Sequence, residues 1–182
     1  KNYIDVWGGY VPFGLFYRNT FIVVFFVEIG TLLSSTVVAF SFARLQWAGR
    51  NIWFVILLGT MMLPFHVTMI PIYILFRNLG WINTLLPLIV PHFFGNAFYI
   101  FLLRQFFLTI PKDLEDAARV DGCGSIRILW QIFLPLSMPV LVTVALFTFV
   151  NNWNDFLGPL LYLDSLEKMT VSVGLSTVSY TH

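Results

Sequence analysis

Long apolar runs alternate with short polar stretches along this chain. Four runs, 20–42, 52–76, 85–103 and 133–150, are long enough to be membrane spans, because a helix needs about 20 mostly apolar residues to cross a bilayer. Polar or turn residues bound each run, and the runs lack the polar face that a soluble helix needs. The pattern therefore predicts an all-α, polytopic transmembrane helical bundle with about four spans.

The composition agrees with a chain solvated by lipid. Hydrophobic residues make up 58% of the 182 residues and charged residues only 10%, whereas about a quarter of the residues in a soluble domain are charged. The net charge of +1 gives no sign of nucleic-acid binding. The single cysteine, Cys123, excludes an intramolecular disulfide, and no metal-binding or phosphate-binding motif occurs in the sequence. We therefore expect no cofactor bound by this chain.

The placement of lysine and arginine predicts the orientation of the spans. Loops on one side of the predicted membrane carry six basic residues, and the other side carries four. These are Arg44, Arg50, Arg104, Lys112, Arg119 and Arg127 against Lys1, Arg18, Arg77 and Lys168. The excess places the polar segment 111–131 in the cytoplasm. Residues 158–182 are too polar to span and are expected outside the membrane or in a re-entrant segment.

Polar residues in or beside the runs are candidates for a translocation pathway. They are Glu28, Asn152, Asn154 and Asp155. Glu28 is either a pathway or gating residue or a carboxyl group that is hydrogen-bonded to a neighbouring helix, and we favour the second interpretation. The segment 151–155 is either polar pathway lining or interfacial capping, and both interpretations stay open. Pro64 and Pro71 interrupt the second run, and breaks of this kind occur in transport pathways as well as in passive helices.

The segment 111–131 combines acidic, small and basic residues between two apolar runs. It begins with a proline, and Asp113 can then cap a helix of roughly two turns. The two adjacent alanines of this segment permit close approach by another backbone, and Gly122 and Gly124 are expected to end the helix. Two interpretations are open on physical grounds alone. The segment either docks into a cleft of a partner protein or lies on the bilayer surface as an amphipathic loop.

The same segment resembles the EAA motif of the membrane permease subunits of binding-protein-dependent ABC importers. The family pattern is Glu-Ala-Ala, three residues, Gly, nine residues and Ile-x-Leu-Pro. Asp116, Ala117 and Ala118 stand at the first three positions of this pattern. Gly122 and the residues 132–135, with sequence IFLP, follow at the spacing of the family. The only departure is Asp116 in place of glutamate, which keeps the charge and shortens the side chain by one methylene.

The resemblance covers most of the chain. The stretches YRNTF, AFSFARLQWAGR, MMLPFHVTMIPIYILFRNLGWINT and WNDFLGPLLYL are similar to the MalG-like subunits of the carbohydrate-importing branch. Those subunits have a MetI-like fold with six spans. The resemblance therefore implies that residues 1–182 form a single transmembrane permease domain, and we expect the first and last of the six spans to be absent from it.

The resemblance also implies a division of labour. The chain would be a permease subunit without catalytic activity, multi-pass in a bacterial or archaeal cytoplasmic (inner) membrane. Its partners would be a second permease subunit, two cytoplasmic ATP-binding subunits that hold ATP and Mg, and an extracytoplasmic binding protein that delivers a sugar. Coupling to ATP hydrolysis would pass through the cytoplasmic EAA loop 111–131. The expected coupling residues are Leu114, Asp116, Ala117, Ala118, Arg119, Asp121 and Gly122.

Three alternatives remain open. The first is an ABC permease for a solute other than a sugar, such as a polyamine, phosphate or an amino acid. The second is an ion-coupled secondary transporter, which would need ion-coupling residues within the spans, where Glu28 is the only support. The third is a membrane-embedded enzyme, which would need convergent polar groups that the sequence does not show. ATP-dependent uptake would distinguish the ABC permeases from a secondary transporter.

Overall fold

The structure is a computed structural model that describes residues 13–179, except for the side chains of residues 177–179. All regular structure within residues 13–179 is helical, which confirms the predicted all-α class. The α-helices are α1 Phe13–Arg44, α2 Arg50–Thr60, α3 Phe65–Asn78, α4 Leu86–Ile89, α5 Ala97–Thr109, α6 Lys112–Val120, α7 Ser125–Ile128, α8 Leu134–Leu136, α9 Met138–Trp153, α10 Leu157–Tyr162 and α11 Val171–Ser179. Val90–Phe94 and Leu166–Lys168 form 3-10 turns, and Leu129–Phe133 forms a π-helical turn. Lys1, which entered the charge comparison, lies outside the described residues.

The predicted spans correspond to helical segments of two kinds. α1, with 32 residues, and Leu86–Thr109, with 24 residues, are each long and apolar enough to cross a membrane alone. The second and fourth runs correspond to helix pairs, α2 with α3 and Ser125–Leu136 with α9, and a break separates the helices of each pair. The described residues thus hold up to four spans, as predicted, if each interrupted pair counts as one.

Proline accounts for one of the two predicted breaks in the second run. α2 ends at Thr60, and Pro64 directly precedes α3, as expected because proline disfavours the helical conformation in the residue before it. Pro71, in contrast, lies inside α3 without ending it. In the fourth run, Ser125–Leu136 and α9 are bent by 80° at the buried Ser137.

The Cα positions divide the chain into two compact units. Within the described residues, the first unit comprises 13–30, 65–93 and 148–179, and the second comprises 31–64 and 94–147. The buried apolar cluster of the first unit contains Val23, Val27, Phe76, Leu88, Tyr162 and Leu163. The larger cluster of the second unit includes Phe40, Leu103, Phe107, Phe133 and Val144. Each unit therefore has an apolar core of its own.

One asparagine in the first unit forms several hydrogen bonds with the loop that follows α10. Asn83 has a left-handed backbone with φ of 59°, a conformation that asparagine tolerates better than most residues. Its Oδ1 accepts from the backbone N–H groups of Asp164 and Ser165, at 3.2 and 3.0 Å. Its carbonyl oxygen accepts from Nζ of Lys168 at 2.7 Å, and its own N–H donates to the carbonyl of Tyr162 at 2.7 Å. Asn83 thereby fixes the shape of this loop from both its side chain and its backbone.

Candidate functional sites: the motif helix and a polar cavity

The helix that carries the motif, α6, begins differently from the sequence prediction. Pro111 is its N-cap residue, and no side chain accepts a hydrogen bond there. Asp113 lies within the first turn, so its predicted capping role is wrong. Proline fixes the backbone of the N-cap residue, and the negative charge of Asp113 is still favourable near the positive end of the helix dipole.

The end of α6 agrees with the prediction for Gly122. The N–H of Cys123 donates to the carbonyl of Ala118 at 2.9 Å, and the N–H of Gly122 donates to the carbonyl of Arg119 at 3.0 Å. These two bonds form a Schellman motif, and Gly122 has the required left-handed backbone, with φ of 80°. An added Cβ at Gly122 would meet no atom of the chain within 4 Å, so the constraint on this position is the backbone conformation. Gly124 instead begins α7 as its N-cap residue.

α6 has two different faces. Glu115 and Ala118 lie on the face that is buried within the second unit, to which α6 belongs. Leu114 and Val120 are 44% and 89% exposed. The predicted coupling residues on the exposed surface are Leu114, Asp116, Ala117, Arg119, Asp121 and Gly122. The structure thus brings all of the predicted coupling residues to the surface except Ala118, which packs against the apolar cluster of its own unit.

Glu115 is the functional candidate that the sequence analysis missed. Its Oε1 accepts from Nη2 of Arg119 at 2.8 Å, and its Oε2 lies 3.8 Å from Nη1 of Arg44. Its spacing of three residues from Ala118 predicts that the two share a helix face, but only the structure shows that this face is buried. The motif alone draws attention to Asp116, which is exposed.

A concave surface of about 770 Å³ adjoins α6 within the second unit. Its charged lining consists of Arg44, Arg50, Lys112, Arg119, Glu115 and Asp116. Basic side chains therefore outnumber acidic ones there. Trp47 and Leu108 add apolar surface to the same wall. The exposed basic and apolar side chains of this lining can accept carboxylates and apolar side chains of a partner, whereas the side chains of Arg44 and Glu115 are buried.

A separate cavity of about 360 Å³ lies within the first unit. Its polar lining is formed by Thr20, His92, Asn152, Asp155, Tyr162 and Thr170. Asn152 and Asp155 were predicted as pathway candidates, and the structure brings them together in this cavity. Asn154 does not line it; it is exposed and donates to the carbonyl of Val150 at 2.8 Å.

Local hydrogen bonds hold the acidic part of this cavity in place. Oδ1 of Asp155 accepts from the N–H of Gly158 at 3.2 Å, and the carbonyl of Asp155 accepts from Oγ of Ser172 at 2.5 Å. Asn152 donates to the carbonyl of Thr148 at 2.8 Å. Tyr162 lies outside the candidate spans, and its burial, together with the negative charge of Asp155, raises the pKa of its phenol. The phenol therefore stays neutral and can donate or accept a hydrogen bond.

Glu28 does not belong to this cavity lining. Both oxygens of its carboxyl group are buried and have no hydrogen-bond partner among residues 13–179. The favoured interpretation, a carboxyl group bonded to a neighbouring helix, is therefore wrong for the part of the chain that the structure describes. Of the four predicted pathway residues, Asn152 and Asp155 therefore line the cavity, whereas Asn154 and Glu28 do not.

The fold combines helical segments that can span a membrane with an exposed motif helix. This combination is that of a membrane transport permease. The chain belongs to the family described as binding-protein-dependent transport system inner membrane component, whose model matches residues 19–178. This confirms the family that the EAA motif predicted. In the structure, most of the motif residues lie exposed on one short helix, α6.

Three curated relatives, all named as permeases, match most of this chain. It is 33% identical over 176 residues to the probable ABC transporter permease protein YurM of Bacillus subtilis (strain 168), covering 96% of this chain and 58% of that protein. It is 36% identical over 171 residues to the arabinooligosaccharides transport system permease protein AraQ of the same organism, with 94% and 60% covered. It is 34% identical over 170 residues to the sn-glycerol-3-phosphate transport system permease protein UgpE of Yersinia pestis, with 93% and 60% covered.

A solved structure confirms the permease fold. The chain matches, with a TM-score of 0.83 and 30% identity, a crystal structure of a bacterial ABC transporter involved in the import of the acidic polysaccharide alginate. The match covers 91% of this chain and 58% of that chain. The present chain therefore spans less than two thirds of the length of these relatives.

Proposed function

We propose that this chain is the membrane-spanning permease subunit of an ATP-binding-cassette importer that translocates a sugar or sugar derivative across the cytoplasmic membrane. Its family membership supports the transport class. The names of its relatives support the substrate class, because they refer to arabinooligosaccharides, to sn-glycerol-3-phosphate and to alginate. The substrate class shared by these relatives is a carbohydrate or a close derivative of one.

The exposed face of α6 is the observation that carries the proposal. Leu114 and Val120 expose apolar surface on a helix that buries Glu115 and Ala118. Exposed apolar surface of this kind marks a site of contact with a protein or a membrane. Ala117 lies exposed beside Leu114, and its small side chain permits a partner backbone to approach closely. The proposed occupant is an ATP-binding subunit, with Leu114, Asp116, Ala117, Arg119, Asp121 and Gly122 facing it and Ala118 supporting the helix from within.

The remaining proposed partners follow from the same assignment. A second permease subunit would complete the translocation path, and two ATP-binding subunits would carry the ATP and Mg. An extracytoplasmic binding protein would deliver the solute.

The exposed side chains of α2 favour contact with a further apolar partner or with lipid. None of the side chains of α2 is buried, and Ile52, Trp53 and Val55 are exposed. A partner helix and lipid would both remove the apolar side chains of α2 from water.

The cavity of the first unit is the proposed solute-facing site of this chain. Asp155 supplies a carboxylate, Asn152 an amide and Tyr162 a neutral phenol, and sugar hydroxyl groups can bond to all three types of group. The negative charge of Asp155 disfavours anionic solutes. We therefore assign this cavity to the hydroxyl groups of a saccharide, with any anionic group of the solute lying away from Asp155.

Uptake by proteoliposomes tests the proposal. The protein would be reconstituted with its candidate permease, ATP-binding and solute-binding partners, and offered labelled neutral arabino-, malto- and xylo-oligosaccharides. We expect uptake of at least one oligosaccharide that requires both enclosed ATP and the binding protein. Uptake driven by an ion gradient without ATP would contradict the proposal. ATP-driven uptake of a polyamine, phosphate or an amino acid, with no sugar transported, would retain the importer class and overturn the sugar assignment.

A further inference from the structure

We infer that Arg44 and Glu115 form a buried positioning pair that ties the motif helix α6 to the ends of α1 and α5. The inference rests on the proposed function, because it assigns to the pair the step in which a movement of α6 is passed to these two helices. Neither residue belongs to the exposed surface proposed to contact the ATP-binding subunit. Their role is therefore to position α6 and not to bind the partner.

Arg44 lies where two helices end. It is the last residue of α1, and its Nη2 donates to the carbonyl of Phe107 at 2.5 Å and to the carbonyl of Ile110. Phe107 lies in the last turn of α5, and Ile110 is its C-cap residue. The last carbonyls of a helix have no partner within that helix, and a cation is favourable at this end of the helix dipole. One guanidinium therefore satisfies the end of α5 while it is attached to the end of α1.

The same guanidinium contacts the segment that follows the motif. Its Cζ lies 4.9 Å from the centroid of the Phe133 ring, in a cation–π arrangement. Phe133 is fully buried in the π-helical turn Leu129–Phe133. A π-helical turn inside an α-helical segment is rare and often lies at a functional site. Arg44 thus contacts α5 and the chain that leads from the motif towards α9.

Glu115 connects this junction to α6. The side chains of Arg44 and Glu115 are only 3% and 9% exposed, and the pair joins Nη1 to Oε2 over 3.8 Å. A buried charge without a partner is strongly unfavourable, so the position of Glu115 is tied to that of Arg44. Arg119, which is 45% exposed, holds the other carboxylate oxygen at 2.8 Å. Glu115 is therefore held both from within the unit and along its own helix.

Two adjacent acidic residues consequently have different tasks. Asp116 occupies the motif position on the exposed face, and Glu115 lies on the buried face. If Glu115 loses its charge, α6 keeps its helix hydrogen bonds and its Schellman end, since neither involves the Glu115 side chain. What it loses is the charged link to Arg44. We therefore expect a helix that still docks but that transmits its movement poorly.

The experiment compares Glu115→Gln, Arg44→Lys and the double variant with the matched control Asp113→Asn, all in the assembled complex. Asp113→Asn removes one negative charge from an exposed position of the same helix. The first readout is taken on the same permease complex before the ATP-binding subunit is added, because that subunit is expected to cover Cys123. It is the rate at which a maleimide labels Cys123, the only cysteine in this sequence, which directly follows Gly122. The second readout is the amount of solute transported per ATP hydrolysed, together with the amount of ATP-binding subunit that co-purifies.

For Glu115→Gln we expect Cys123 labelling to accelerate about fivefold and transport per ATP to fall about fivefold, with co-purification unchanged. Arg44→Lys keeps the charge but cannot reproduce the planar set of donors, so we expect the same direction of change. The double variant should be no worse than the more severe single variant, because each single variant already disturbs the contact between the two side chains. Asp113→Asn should behave as the wild type.

Two outcomes would overturn the inference. One is that Glu115→Gln and Asp113→Asn show the same labelling rate and the same transport per ATP. The other is that ATPase activity and transport fall in proportion, which is what a merely structural role predicts. The labelling readout needs no transport, so accelerated labelling in a complex without ATP-driven uptake would support the pair and count against the proposed function alone.

Discussion

Two polar residues, one in each unit, hold helices and loops together by different means. Arg44 in the second unit is a buried cation that bonds to two helix-end carbonyls and faces one buried carboxylate. Asn83 in the first unit is a neutral amide that bonds to the backbone and side chains of the loop after α10. A lost neutral hydrogen bond costs about 1 kcal/mol, whereas a broken buried ion pair costs about 3–5 kcal/mol. The contrast indicates that Asn83 sets the shape of a loop and that Arg44 connects several helical segments at a buried, charged junction.

Removing the charged junction should have the largest effect. Arg44→Ala leaves Glu115 without its buried partner and the carbonyls of Phe107 and Ile110 without their donor. We expect a loss of about 3–5 kcal/mol in stability, seen as a clear fall in the thermal unfolding temperature of the purified complex.

Arg50→Ala is the matched control for that change. Arg50 also lies in the second unit, but it donates to the carbonyl of Leu45 and has no carboxylate within 4.0 Å among the described residues. We expect a shift in unfolding temperature several times smaller than that of Arg44→Ala. Equal shifts in unfolding temperature for the two variants would contradict the proposed role of Arg44.

Removing the neutral junction should have an intermediate effect. Asn83→Ala loses three side-chain hydrogen bonds and places alanine in a left-handed backbone. We expect a loss of about 2–3 kcal/mol, measured by thermal unfolding, and faster proteolysis of the loop 163–169. Asn83→Gly keeps the backbone conformation accessible and isolates the hydrogen-bond contribution, so it should be the milder change. If Asn83→Gly were the more damaging one, the argument from backbone conformation would fail.

A change at Gly122 should cost less stability than either junction but should affect coupling. Gly122→Ala places a Cβ on a left-handed residue, at a cost of about 1 kcal/mol, whereas Gly124→Ala meets no such constraint because the φ of Gly124 is −74°. A bulky residue, as in Gly122→Val, should uncouple ATP hydrolysis from transport or block assembly. Transport assays of both alanine variants and of Gly122→Val check this order, and wild-type transport by Gly122→Val would contradict it.

The smallest effect is expected at the motif acid. Asp116→Glu restores the family residue on an exposed position, and we expect solute uptake within about twofold of the wild type, since surface substitutions of this kind cost little. Uptake assays in proteoliposomes measure it directly. A severe loss would mean that the docking cleft of the partner has adapted to the shorter side chain.

The sequence predicted the features that depend on local pattern. Apolar run length predicted the spans, and residue spacing predicted the motif helix and its end at Gly122. The junctions at Arg44 and Asn83 depend instead on contacts across many residues, such as Arg44 with Phe107 and Asn83 with Ser165. No periodicity encodes such contacts, so neither junction was predicted. Asp113 was assigned as a cap because its residue type favours that role, but Pro111 occupies the position.

The most direct test of the central claim is the accessibility of Cys123 to a membrane-impermeant maleimide in inside-out vesicles, with and without the ATP-binding subunit. Cys123 is a partly buried free thiol in the turn that ends α6. We predict labelling without the subunit and protection when it is bound, which would place this turn in the cytoplasm at the docking surface. Labelling that the subunit does not change would contradict the coupling role of α6.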